Sequence, residues 1–144
     1  MRGICAALLL ALSTLASVTS ASATVRIGED RGGQIGPYLY QYAQVRDSGE
    51  RVVVDGSCLS ACTLLLGTVP RDRICVTPRA NFGFHAAWNF APGGRTVYSR
   101  EGTRLLWDVY PAQVRRWITR NGGLTPHMIY LRGRELSSMY STCT

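Results

Sequence analysis

The spacing of four cysteines, Cys58, Cys62, Cys75 and Cys143, constrains this chain most, because its N-terminus directs them to an oxidising compartment. Arg2 supplies a positive charge, Ala6 to Leu12 form an unbroken apolar run, and Ala21-Ser22-Ala23 offers the small-x-small pattern read by signal peptidase. Cleavage is expected after Ala23, which divides the chain into a signal peptide, 1–23, and an exported part, 24–144, that is periplasmic or secreted. The apolar run is too short to cross a hydrocarbon core of about 30 Å, so no integral membrane segment is expected after cleavage. A fifth cysteine, Cys5, leaves with the signal, and the even set that remains predicts two disulfides. Three pairings are open. The preferred one joins Cys58 with Cys62 and Cys75 with Cys143, the second closing a long loop and tying down the C-terminus. Zinc sites usually use closer pairs such as Cys-x2-Cys, whereas the spacings here are x3, x12 and x67, so no metal is expected.

The exported length suits one domain with one core. No internal repeat or low-complexity linker divides it. The formal charge of +7 falls to +6 without Arg2, and every basic residue is arginine. These arginines are scattered, as at Arg26, Arg46, Arg71, Arg95, Arg115 and Arg132, so a nucleic-acid stripe is not expected. No nucleotide-binding glycine loop, metal cluster or haem attachment motif occurs, so no cofactor is expected.

Thr24 to Gly28 reads as a strand, followed by a polar turn at Glu29-Asp30-Arg31-Gly32-Gly33. Ile35, Leu39, Tyr42 and Ala43 recur at helical spacing up to Ser48-Gly49. Val52-Val53-Val54, β-branched and without alternation, predicts a central parallel strand covered on both faces. Asp55-Gly56-Ser57 should then turn the chain into a short buried helix over 59–66. Strands are expected at Ile74 to Thr77 and Phe82 to His85, and a loop at Ala91-Pro92-Gly93-Gly94. Helical faces follow at Leu105, Leu106 and Val109, and at Val114, Trp117 and Ile118. Thr125-Pro126 predicts a last short helix. The order indicates an α/β layered domain whose small, mainly parallel sheet is flanked by helices.

Ser60 follows the buried strand at the mouth of an apolar helix, where free amides and the helix dipole favour negative charge. The Ala61 amide, with an amide from Gly32 or Gly33, would then form an oxyanion hole. A serine hydroxyl needs a base. His85, at the carboxyl end of an extended segment, is the stronger candidate, and His127 reads as a surface residue. Structural readings stand beside these: serine at a helix start is a common cap, and lone histidines often only pack.

Gly32-Gly33, Val52-Val53-Val54, Cys58-Leu59-Ser60-Ala61-Cys62 and Gly83-Phe84-His85, in that order and spacing, resemble the proteolytic subunit of Clp protease within the Clp/crotonase superfamily. The chain is more closely similar to exported bacterial members with Cys-x-Ser-Ala-Cys before Gly-x-His. The match is good over 52–88, weaker over 27–49 and faint beyond 104. The resemblance implies a Clp/crotonase-like domain with Ser60 as nucleophile, His85 as general base and an oxyanion amide from the Gly-Gly turn. It also places the family's orienting aspartate near Leu131 or Arg132, where this chain has no carboxylate. Asp108, Asp55 and Glu135 are the candidate replacements.

Two functions follow. The first is an exported, peptidase-like serine hydrolase with an incomplete triad, and the alternative is a non-catalytic binding or scaffold domain that has lost the triad acid. Either takes a peptide or protein as substrate or partner. An acyl-CoA enzyme is disfavoured by export. Rings in this superfamily are built by an extended handle after the histidine, and 86–104 reads as a short loop-like segment, so a monomer or small oligomer is expected. A disulfide between Cys58 and Cys62 would aim Ser60 or simply staple the core, and stapling is the preferred reading.

Overall fold

The computed structural model describes residues 23–144. The expected signal peptide therefore lies outside the described residues, apart from Ala23.

The centre of the fold is strand β2 (Arg51–Leu59), which pairs along one side with β1 (Thr24–Asp30) in parallel register, from Thr24 opposite Arg51 to Asp30 opposite Cys58. Along its other side, β3 (Ile74–Val76) covers the first half and β4 (Asn81–Phe84) the second, both parallel to β2. The predicted turn at Asp55-Gly56-Ser57 is thus replaced by continuous strand. Gly56 permits this because a Cβ there would lie 1.5 Å from the Gly28 carbonyl oxygen, so only glycine lets β1 and β2 pass so closely. The register slips at that point, between Ile27 and Glu29.

Helix α1 (Ile35–Ser48) ends as predicted at Gly49, whose φ of 79° closes it through a bond to the Arg46 carbonyl. It buries Tyr42 and Val45. The predicted helix over 59–66 is instead a 3₁₀ turn, Ser60–Leu64, followed by the single turn α2 (Leu65–Thr68). Its side chains are as buried as the apolar run implied: Leu64 and Leu65 are completely covered.

After β4 comes a hairpin of β5 (Trp88–Phe90) and β6 (Thr96–Tyr98), where the sequence suggested only loop. Helices α3 (Arg100–Val109) and α4 (Ala112–Arg120) follow. Ser99 caps α3 by accepting from the Gly102 amide. Trp117 and Tyr110 pack against Phe84, the latter edge-to-face with centroids 5.3 Å apart.

The helix predicted from Thr125-Pro126 is absent. A turn leads into β7 (Ile129–Arg132), antiparallel to β4 with Leu131 opposite Phe82. Alternation decides this segment: Leu131 is completely buried, while its neighbours Tyr130 and Arg132 face outward. A short α5 (Gly133–Ser137) and β8 (Ser141–Thr142) beside β3 complete a six-stranded sheet, mostly parallel, curled and flanked by helices. The disulfides are Cys58–Cys62 and Cys75–Cys143, the preferred pairing of the three. Among the described residues no helix is long and apolar enough to cross a membrane.

Candidate functional site

Ser60 lies where β2 ends and the 3₁₀ turn begins. Its φ is 56°, and it is the only non-glycine residue with positive φ among the described residues. A left-handed serine costs about 1–3 kcal/mol and persists only where the surroundings over-determine it. Those surroundings are visible. The Thr63 hydroxyl donates to the Ser60 carbonyl at 2.6 Å and lies 2.7 Å from the buried Tyr110 hydroxyl. From outside, Gly32 (φ 79°) presses its backbone onto the turn: a Cβ there would lie 2.4 Å from the Leu59 carbonyl oxygen and 2.6 Å from the Ser60 Cβ. The disulfide Cys58–Cys62 brackets the serine, with both cysteines fully buried.

A cleft of about 820 Å³ opens over this turn. Gly32, Gly33, Ser60, Ala61 and His85 all line it, so folding gathers these five expected site residues at one place. Not every expected contribution survives. The Gly32 amide is committed to the Asp30 carboxylate at 2.8 Å, which leaves the amides of Gly33 and Ala61 as candidate donors to an anion. Asp30 also accepts from Tyr38 at 2.5 Å; burial, then the carboxylate, push the Tyr38 phenol up to about 12.

His85 is half-buried at the end of β4, and its Nδ1 lies 2.7 Å from the Ala86 carbonyl oxygen. A carbonyl only accepts, so Nδ1 is the donor in this contact and Nε2 is the ring nitrogen left for another partner. Ala86 is itself held on both sides: its amide donates to the Thr125 carbonyl at 2.7 Å, and the Ala87 amide, in the same peptide unit as the Ala86 carbonyl, donates to the Thr103 hydroxyl at 2.9 Å.

Among the described residues no carboxylate bonds His85. Asp108 is exposed on α3, outside the cleft lining, and Glu135 is exposed on α5. Asp55 is occupied elsewhere. It is buried within β2, where Arg79, Thr77 and Arg26 all donate to it, the Thr77 hydroxyl at 2.7 Å. Those bonds, from Arg79 above all, hold its carboxyl down at about 2. His127 is exposed in the turn before β7. Nor do the described residues gather three His, Cys, Asp or Glu side chains that could hold a metal ion.

The site contains parts that the sequence reading passed over. Thr63 and Tyr110 meet across 47 residues, and no local pattern announces such a pair. The hairpin did leave a signal: Trp88-Asn89-Phe90 and Thr96-Val97-Tyr98, rich in aromatic and β-branched residues, flank a Pro-Gly-Gly turn. Ser99 N–H donates to the Ala87 carbonyl and Ala91 N–H to the Arg95 carbonyl, at 2.8 and 2.7 Å. With Trp88 opposite Tyr98 and Phe90 opposite Thr96, antiparallel alternation then turns the N–H and C=O of Trp88 and Phe90 away from β6. Trp88, Asn89 and Phe90 line the Ser60 cleft consecutively, and no β6 residue lines it, so the open edge of β5 borders the cleft.

No protein-family model matches this chain, and no curated protein matches it. Among solved structures, it is weakly similar in fold to a mutant of ClpP1 from Listeria monocytogenes, with 12% sequence identity and a TM-score of 0.49. That match covers 83% of this chain and 71% of the other. At this level the likeness carries nothing about activity.

Proposed function

We propose that this protein is an exported binding domain of Clp/crotonase-like architecture, whose cleft takes an extended, apolar peptide segment and does not turn it over. The observation that carries the reading is the open edge of β5. A strand with unpaired N–H and C=O groups is a template for another strand, and here it borders the cleft beside the exposed side chains of Trp88 and Phe90, 47% and 70% accessible. Alternate side chains of an added strand would meet that aromatic surface. That no carboxylate among the described residues bonds His85 favours binding over turnover, because loss of the orienting acid costs a triad enzyme about four orders of magnitude in rate. Two disulfides fit the oxidising compartment expected from the N-terminus.

The test is an array of short unstructured peptides, with affinity then measured by titration. Peptides alternating apolar and polar residues should bind, and Trp88→Ala with Phe90→Ala should weaken them while leaving thermal stability unchanged. Retention of no peptide, or indifference to both substitutions, refutes the reading.

A specific observation favours a second reading, a slow serine hydrolase. Ser60 stands in a strained strand-to-helix turn like those that expose nucleophiles, and the Ala86 carbonyl orients the His85 ring as an acid would. Fluorophosphonate labelling separates the two. Stoichiometric reaction at Ser60, lost in Ser60→Ala and reduced in His85→Ala, establishes the hydrolase, whereas a binding domain stays unlabelled.

A further inference from the structure

The two disulfides do not share one purpose, and the local one has a place in the site. Cys58 is the penultimate residue of β2, paired with Asp30 on one side and Phe82 on the other, so its position belongs to the sheet. Cys62 lies within the 3₁₀ turn, with the Tyr42 hydroxyl of α1 3.5 Å from its sulfur. The bond between them therefore ties the turn to the strand that precedes it, with Ser60 midway. A chain free to relax would move a serine out of the left-handed region, because its Cβ crowds the backbone there.

We propose that the Cys58–Cys62 disulfide is a positioning device: it holds Ser60 in its left-handed conformation and so keeps the floor of the cleft open. The other restraints act on different atoms. Thr63 holds the Ser60 carbonyl, and Gly32 leans on the turn from outside without bonding to it. The disulfide joins directly the residues two before and two after the serine, whose Cα atoms lie 5.3 Å apart. Both sulfurs belong to fully buried residues, so the bond is shielded from thiol exchange and suits a permanent brace. Its structural consequence stands by itself, while the consequence for peptide affinity rests on the binding reading above.

The experiment compares three proteins with the parent: Cys58→Ala/Cys62→Ala, the same pair with Ser60→Gly, and Ser60→Gly alone. The backbone at position 60 is followed by NMR chemical shifts or a crystal structure, and affinity by titration with the peptide selected above. In the double variant, Ser60 should move to negative φ and affinity fall about tenfold, the order set by releasing one strained residue. Adding Ser60→Gly should restore most of that loss, because glycine enters the left-handed region freely. A merely stapling disulfide would show no such rescue. If the double variant does not fold, the same pair with Ser60→Gly decides: folding regained with glycine supports the brace, because glycine enters unaided the conformation that the disulfide held, and failure of that variant to fold as well overturns the proposal. A double variant whose Ser60 keeps its positive φ also overturns it. If the parent binds no peptide yet Ser60 moves, the binding reading fails and the positioning role stands.

Discussion

Cys58–Cys62 joins residues 4 apart in sequence, whereas Cys75–Cys143 joins residues 68 apart, across nearly equal Cα separations of 5.3 and 5.0 Å. The same covalent bond therefore acts on different things. Around Ser60 it restrains a few dihedrals at the end of one strand. At the far side of the sheet it attaches the C-terminus to β3, beside a two-residue strand whose next amide, that of Cys143, donates to the Val76 carbonyl. Loop closure explains the contrast in stability. In the chain-entropy account a loop of 68 residues is worth about 4 kcal/mol and a loop of 4 about 2 kcal/mol. The short bridge contributes less to holding the chain together, yet it has greater command of a single conformation.

The largest expected effect tests the long bridge. Cys75→Ala/Cys143→Ala should lower unfolding free energy by about 4 kcal/mol in denaturant titrations. If the loss is no larger than for the Cys58/Cys62 pair, the contrast between the two regions is broken. Next comes Gly32→Ala, which drives a methyl into the Leu59 carbonyl and also needs a left-handed alanine. It should cost about 2–3 kcal/mol, and shifts of the Ser60 resonances should show that the Ser60 turn absorbs the clash. Tyr110→Phe should cost about 1 kcal/mol by removing the hydroxyl beside Thr63. Ser60 should keep its positive φ there, which sharpens the claim that the disulfide rather than this bond sets the turn.

The smallest expected effect lies in the Asp55 cluster, whose arginines are largely exposed and screened. Its carboxyl is held down at about 2, against about 3.9 in an unfolded chain. The stability it contributes is therefore present above about pH 4 and lost as the pH falls through about 2. Asp55→Asn should be less stable than the parent at neutral pH, with the gap closing across that acid range in denaturant midpoints.

How much of this was legible varied with the range of the interactions involved. Val52-Val53-Val54 announced a central strand because a β-branched run has few other uses, but the expected cover on both faces is unequal: Val52 and Val54 on one face are completely buried, whereas Val53 on the other is only partly so. Helix α1 was legible from its apolar spacing and terminal glycine. Thr125-Pro126 misled because a good local start signal was overruled by the pairing of β7 with β4, a tertiary gain. Asp55-Gly56-Ser57 misled for a related reason: its composition fits a turn, but its glycine serves close passage of β1. At the site, the order of Gly-Gly, Ser and His pointed to residues that do line one cleft. That Gly32 spends its amide on Asp30, and that Ala86 offers its carbonyl to His85, depended on backbone directions no residue pattern encodes.

The sequence by itself determined the apolar segments that must be buried, the glycines that permit close approach, and the four cysteines that pair among the described residues. These are properties of single residues and near neighbours, so spacing records them. Tertiary structure alone decided the left-handed turn at Ser60, the partner of the His85 ring and the open edge of β5. The turn at Ser60 and the approach of β5 to it depend on groups far apart in the chain arriving at one place, while the Ala86 carbonyl, though next to His85 in sequence, meets its ring through a backbone direction that no residue pattern records.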